Sequence, residues 1–369
     1  MILRSITVQN FRNIELAQLQ FPGLRHFFHG ANGQGKTNLL ECLGYLTALR
    51  SFRTADNRLL VRDGEREAAV AYTFEHETLG ETRITLRVGA DGSRTVQWEG
   101  DRVGRLADII GRFPAVVFSS LDLQLARGAP SLRRRWMDLH FSVMVPGYFP
   151  ALQKYHRALA ARNALLKRGV VSGELTAFEK EMEGPAASLI EARSQGISIL
   201  NALLESHYRT LSDGSESAQL RYRSPFAGEA ARERLGESWR DSRERDLRLG
   251  ATQTGPHRDD FEFRLDDRPA ARYGSEGQQR SLVIALRLAQ ARHSREATGL
   301  TPLVLLDDVT GELDAGRRER FWGLVAGEAQ VFATGVTPPQ RDSAGWNLLR
   351  VDSGRFVSTP DNPPGPAGP

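Results

Sequence analysis

The stretch Gly30-Ala-Asn-Gly-Gln-Gly-Lys-Thr-Asn38 (GANGQGKTN) decides how the chain folds. It fits G-x-x-x-x-G-K-[ST], the loop whose backbone wraps nucleotide phosphates. Gly30, Gly33 and Gly35 let the chain turn tightly, so that N–H groups converge on oxyanions without Cβ clashes. The pattern makes Gly30, Ala31, Asn32, Gly33, Gln34, Gly35, Lys36, Thr37 and Asn38 the candidate ATP-binding residues. Lys36 would reach the β- and γ-phosphates as a catalytic cation, and the Thr37 hydroxyl would ligate Mg²⁺. Lys36 is one of only four lysines among 49 basic residues. In a chain so dominated by arginine, that lysine marks a site needing a compact ammonium.

The flanks suit such a loop. Leu24–His29 reads as a strand entering it, and Leu39–Leu49 as a helix leaving it with an apolar face at Leu39, Leu43 and Leu46. Strand patterns recur at Ile2–Val8, Ala69–Phe74, Arg83–Val88 and Thr95–Trp98, and Ala115–Phe118 reads as a buried strand. From Ser131 the character turns helical. Apolar residues fall at helical spacing over Pro150–Leu166 and Ser188–Leu211, with Gly184 and Pro185 predicting a break before the second. Arg232–Arg248 reads as a charge-dense, solvated helix. Strands return at Phe261–Leu265 and Ala270–Tyr273 around an Asp266-Asp267 turn, followed by a helix from Gly277 to Ala297.

A second half of the site follows. Leu303–Leu306 is a buried strand ending in Asp307 and Asp308. A phosphate-loop NTPase needs an acid at the end of a neighbouring strand to hold Mg²⁺, the role predicted for Asp307. Asp308 would orient or deprotonate the attacking water, as a catalytic residue. About 270 residues separate loop and acids. That separation points to an α/β fold of the ABC-type P-loop ATPase head, a mixed sheet with helices and an inserted helical lobe. The expected division is 1–130 and 251–359 for the head, 131–250 for the helical lobe, and a disordered tail at 360–369. Such a head needs a further element upstream of the acid strand, and Tyr273-GSEGQQR-Arg280 stands there. Ser275, Gly277 and Gln278 would present a capped helix end to the γ-phosphate held by another subunit.

Composition sets limits. No apolar run approaches the ~20 residues of a membrane span. The opening MILRSITVQNF lacks a signal peptide's apolar core, and Cys42 is the only cysteine, so intramolecular disulfides and thiolate metal clusters are excluded. A cytoplasmic location is expected. Arg102–Arg168 carries twelve basic and three acidic residues, which suggests a polyanionic partner. Within it, Arg133, Arg134 and Arg135 are candidate contacts to the phosphates of such a polyanion, DNA being one; the rival reading packs one of them against Asp138 or a helix end, with only two facing outward. His257 and Arg258, without metal-ligand spacing nearby, read as structural.

Several stretches together carry a family likeness: ITVQNFRN (Ile6–Asn13), GANGQGKTNLLE (Gly30–Glu41), SFRT (Ser51–Thr54), VVFSSLDLQLARGAPSLRRRWMD (Val116–Asp138), TGPHRDDF (Thr254–Phe261), YGSEGQQR and LLDDVTGELD (Leu305–Asp314). The chain resembles the RecF family of bacterial DNA replication and repair proteins, ABC-type ATPases related to SMC heads. The resemblance implies an ATP-dependent homodimer on double-stranded DNA at gaps or junctions, with slow ATP hydrolysis. It further implies RecR and RecO as partners, RecA loading, and a part in the SOS response. By analogy with SMC heads, Arg12 would lie near the phosphates; otherwise it is a surface arginine at a strand end. The chain departs from the family pattern at Glu276, where SQGQQR is usual, and at Thr310–Glu312, where SELD is usual. A transporter ATPase would need an LSGGQ-like signature and a switch histidine, and a full SMC protein would need hundreds of heptad residues. A divergent SMC-like or nuclease-associated ATPase remains the alternative.

Overall fold

The computed structural model describes residues 1–105, 108–169, 173–212, 216–309, 313–325, 329–337 and 345–358. The chain divides into two compact units, Met1–Asp122 with Gln290–Pro369, and Leu123–Ala289.

In the first unit, β1 (Ile2–Phe11) and β2 (Ile14–Gln20) form a hairpin, and β3 (Arg25–His29) leads through the glycine loop into α1 (Lys36–Ala48). Then come β4 (Glu67–His76), β5 (Gly80–Gly89), β6 (Arg94–Trp98), β7 (Asp101–Arg102) and β8 (Ala115–Ser119).

In the second unit, α2 (Leu123–Arg127), α3 (Pro130–Met144), α4 (Tyr148–Lys167) and α5 (Gly173–Ser212) precede β9 (Ala218–Arg223). There follow α6 (Ala231–Asp241), α7 (Arg243–Leu249), β10 (Asp260–Leu265), β11 (Arg268–Pro269) and α8 (Ala270–Tyr273). The boundary between units falls inside α9 (Glu276–Thr298). The chain closes with β12 (Leu303–Asp307), α10 (Ala315–Val325), β13 (Val331–Gly335), β14 (Asn347–Asp352) and β15 (Arg355–Ser358).

Two six-stranded sheets build the first unit. One is antiparallel, in the order β2-β1-β4-β5-β6-β7; its strands alternate buried and exposed residues, one face to the core. The other runs β15-β14-β3-β13-β12-β8 and is parallel except at β15. Strands β8, β12 and β13 are buried along most of their length, which is why AVVF and LVLL read as unbroken apolar runs. This order puts the loop strand β3 and the acid strand β12 on either side of β13. Helix α1 covers the sheet closely: a Cβ on Gly44 would come within 3.1 Å of Leu305 and 3.3 Å of Val117.

The second unit is larger than the expected 131–250 lobe. Strands β9, β10 and β11 form a sheet of its own, so the 251–289 segment folds with the helices. Pro185 does not break the chain: α5 runs through it for 40 residues. The turns around it are held by buried Met182, Ala186, Leu189 and Ile190, whose packing offsets the one backbone bond proline removes. Gly196 lets α5 approach α3, since a Cβ there would overlap the Phe141 ring at 2.1 Å. The charge-dense 232–248 segment is two helices, not one solvated face. Trp239 and Asp246 are fully buried, and Arg162, also buried, pairs with Asp246 at 2.8 Å and Glu179 at 2.9 Å. The Asp266-Asp267 turn forms with both residues left-handed (φ 45° and 63°), but Ala270–Tyr273 is helical and the return strand is Arg268–Pro269. The expected tail at 360–369 lies outside the described residues.

Candidate functional site

At two of its glycines the loop is fixed by contacts that admit no side chain. A Cβ on Gly30 (φ 153°) would stand 2.3 Å from the Val351 carbonyl oxygen, and one on Gly35 (φ 113°) 2.7 Å from Asn13 Oδ1. Gly33 (φ 80°) has open space instead and needs glycine only for its backbone angle. The loop is strapped to the sheet. The Gln34 carbonyl accepts from Asn13 Nδ2 at 3.1 Å and from the Gly354 N–H at 2.7 Å, and Gln34 Oε1 accepts from the Ser353 N–H at 2.7 Å. Asn38 Nδ2 donates to Asn13 Oδ1 at 2.8 Å.

Helix α1 begins at Lys36 with no side-chain cap and no acidic residue in its first turn. Its first N–H groups and its positive dipole end therefore face an anion without internal competition. Lys36 Nζ donates to the Gly30 and Ala31 carbonyls at 2.7 and 2.8 Å. Burial pushes its pKa down while Asp308, and then Asp307, pull it back up. The ammonium is thus within the field of both acids.

Thr37 Oγ1 donates to Asp307 Oδ1 at 2.7 Å. A carboxylate only accepts, so this bond commits the hydroxyl hydrogen and leaves the threonine lone pairs for a cation. Asp307 is half-buried; burial pushes its pKa up, against the hydrogen bonds from Thr37 and Thr334. Asp308 is exposed and left-handed (φ 55°), so the chain leaves the strand there and separates the two acids. A loop that only glycines can form at Gly30 and Gly35, an uncapped helix start, one lysine, one threonine and two acids fit ATP with Mg²⁺. Among the described residues no cluster of three or more His, Cys, Asp or Glu forms a separate metal site.

Arg12 is held away from a simple surface role. Its Nε and Nη2 clamp the two oxygens of buried Glu41 at 3.0 and 2.9 Å, and Arg53 joins them at 3.2 Å. Ser51 also donates to Glu41. A cavity of about 620 Å³ beside the loop is lined by Arg12, Asn13, Asn38, Arg53, Arg62, Asp63 and Ser353.

In the second unit, Ser275 and Gln278 form a reciprocal capping box. The Gln278 N–H donates to Ser275 Oγ at 3.3 Å, and the Ser275 N–H donates to Gln278 Oε1 at 2.6 Å. The Gln278 amide donates in turn to Glu216. Gly277 lies in the first turn of α9, next to Glu276, whose charge is met by Arg280 at 2.6 Å and Arg127 at 3.7 Å. The Thr310–Glu312 departure lies outside the described residues.

The arginine triplet differs from the expected outward-facing phosphate contacts. Arg133 clamps Asp260 at 2.7 and 2.8 Å and is 12% exposed; Arg134 donates to the Asp259 carbonyl at 3.1 Å; Arg135 is half-buried. The triplet starts a helix packed on β10, so its charges serve the fold first. A cleft of about 810 Å³ nearby is lined by Arg221, Arg223, Arg258 and Arg264 as well as Arg133; Arg221, Arg223 and Arg258 are exposed, and Arg223 pairs with Glu262 at 2.9 Å. His257 is structural: Nε2 meets the Thr252 carbonyl at 3.0 Å and Nδ1 meets the Tyr155 hydroxyl at 2.6 Å. A carbonyl only accepts, so Nε2 carries the proton and Tyr155 donates to Nδ1.

Comparison with known proteins gives the family. Residues 2–353 match the RecF/RecN/SMC N terminal domain family. The DNA replication and repair protein RecF of Nostoc punctiforme is 34% identical over 373 residues, covering 97% of this chain and 99% of that protein. RecF of Gloeobacter violaceus is 34% identical over the whole of both chains. A solved structure of the recombination mediator protein RecF-ATP in the RecFOR pathway superposes with a TM-score of 0.90 at 28% identity, covering 97% of each chain. An Smc head bound to the C-winged helix domain of ScpA shares the fold, with a TM-score of 0.55 at 16% identity and 97% and 98% coverage.

Fold and site therefore define an ABC-type P-loop ATPase head of the RecF/RecN/SMC class. Within that class the match runs end to end with one group, and the chain belongs to the RecF family of DNA replication and repair proteins.

Three parts of the site escaped sequence reading. Thr334, Asn13 and Glu41 each act through partners distant in sequence. Only Glu41 left a signal: a carboxylate inside the apolar run LLECLGYL demands a buried partner.

Proposed function

We propose that the chain is an ATP-gated, DNA-binding switch of the RecF type, a weak ATPase stimulated by DNA. The observation that carries this reading is the Thr37–Asp307 hydrogen bond, which joins phosphate loop and acid strand in one site. The loop amides and Lys36 bind the phosphates, and Thr37 and Asp307 hold Mg²⁺, which when bound neutralises phosphate charge. Asp308, exposed and set apart from Asp307, orients the attacking water. Arg12, anchored on Glu41, borders the nucleotide.

Ser275, Gly277 and Gln278 engage the γ-phosphate held by a second copy, so each site is completed only in an ATP-dependent homodimer. Ser275 is exposed, and its Oγ accepts from the Gln278 N–H, which leaves its hydroxyl hydrogen to donate to a phosphate oxygen. The dimer binds double-stranded DNA at gaps or junctions, and hydrolysis releases it. Exposed Arg221 and Arg258 suit phosphate contacts better than the engaged Arg133 and Arg134. By family, the protein works in the cytoplasm with RecR and RecO, in RecA loading and the SOS response.

Duplex-DNA binding followed by fluorescence anisotropy with ATP, with ADP and with Lys36→Arg tests this. Binding is expected with ATP alone and lost in the variant. Equal binding in all three conditions contradicts it.

A further inference from the structure

Thr334 stands on β13, the strand between loop strand and acid strand. Register pairs it with Asp307 on one side and with Phe28 on the other. It is 2% exposed. Its hydroxyl oxygen lies 3.0 Å from Asp307 Oδ1 and accepts the Asp308 N–H at 3.1 Å; the Leu306 carbonyl is farther, at 3.4 Å. The hydroxyl has one hydrogen, and the nearer, charged acceptor takes it. One hydroxyl thus donates to the first acid and receives from the backbone of the second.

Both acids depend on that arrangement. Asp307 Oδ1 accepts from Thr37 and Thr334 together, so two hydroxyls fix the carboxylate against rotation. Asp308 is not glycine, yet holds φ 55° at the strand end, a left-handed conformation that aspartate tolerates better than most residues but that still benefits from being held. The bond from its N–H to Thr334 supplies such a hold. Neither Thr37 nor the glycine loop reaches the Asp308 backbone by any hydrogen bond among the described residues.

We propose that Thr334 is a positioning residue for ATP hydrolysis: it sets the spacing between the Mg²⁺-holding carboxylate of Asp307 and the water-facing carboxylate of Asp308. It touches neither nucleotide nor water and acts through the two acids. This rests on the ATPase reading of the site. Valine keeps the shape of threonine and its strand preference while removing both hydrogen bonds; serine keeps the hydroxyl and removes a methyl.

The test uses the full chain as parent, Thr334→Val and Thr334→Ser. In steady-state ATPase assays Thr334→Val should lose about tenfold in kcat and need more Mg²⁺ for half-saturation, since neither acid is any longer held where hydrolysis needs it. Affinity for a fluorescent ATP analogue without Mg²⁺ should stay within about twofold of the parent, because the loop is untouched. Thr334→Ser should restore kcat and Mg²⁺ dependence. Hydrogen exchange at the Asp308 amide, in nucleotide-free protein, should be faster in the valine variant and slow again in the serine variant. That readout stands even if the parent hydrolyses nothing, a result that would count against the ATPase reading alone. Parental kcat and Asp308 exchange in Thr334→Val would overturn the proposal, as would failure of serine to restore what valine lost.

Discussion

Thr37 donates its hydroxyl hydrogen to Asp307 Oδ1 across 2.7 Å, although 270 residues separate them in the chain. The parallel sheet makes the meeting possible, because β3 and β12 flank β13 and end on the same side. Asp307→Asn keeps the shape but removes the charge. ATP affinity in Mg²⁺ should fall by about tenfold or more, while affinity in EDTA stays near the parent value. Titration with a fluorescent ATP in both buffers checks the difference.

The loop glycines separate two physical causes. Gly30→Ala drives a Cβ to 2.3 Å from a strand carbonyl that cannot swing away, whereas Gly33→Ala meets no atom within 4 Å and pays only for its φ of 80°. Denaturant unfolding should show a loss of about 2 kcal/mol or more for Gly30→Ala and about 1 kcal/mol for Gly33→Ala.

Glu41 is fully buried and faces two guanidinium groups. Glu41→Gln leaves Arg12 and Arg53 facing each other without their anion. A loss of about 2 kcal/mol is expected, below the usual figure for a fully buried pair because both arginines are partly solvated. A fall in Tm checks it, and Glu41→Asp should show a smaller one.

Stability should fall in mild acid. Burial lowers the pKa of His26 to about 4, with the bond to the Gly23 carbonyl opposing, and burial does the same to His257, also to about 4. Unfolded histidine takes up its proton near pH 6.5, so between about 6.5 and 4 the unfolded chain holds more protons and stability drops as pH drops. At pH 5 the loss is about 2 kcal/mol for each such histidine. Denaturant midpoints from pH 7 to 4.5 should follow that slope, and His26→Gln should flatten it.

Local chemistry was the legible part of the sequence. The loop, its helix, the acid strand and the capped start of α9 each rest on residues within one short segment, and each element forms where the pattern puts it. What escaped was set by packing over distance. Pro185 reads as a breaker, but α5 buries residues on both sides of it and continues. Asp246 reads as a solvated charge because its partner Arg162 lies 84 residues upstream. Arg133 reads as a cation for DNA because Asp260, which holds it, lies 127 residues downstream. Thr334 gave no signal, since a threonine in a buried strand shows its use only beside Asp307 and Asp308.

On the proposed function, ATP fastens two copies of this chain through the Ser275–Gln278 cap. The direct measurement is mass by sedimentation at micromolar concentration, without nucleotide, with ADP and with ATP plus Mg²⁺. The 41.0 kDa chain should double in mass with ATP and Mg²⁺ only, and Ser275→Arg should stay single while still binding ATP. A parent chain that stays single with ATP and Mg²⁺, or a Ser275→Arg variant that doubles, would show that ATP does not fasten the chain there.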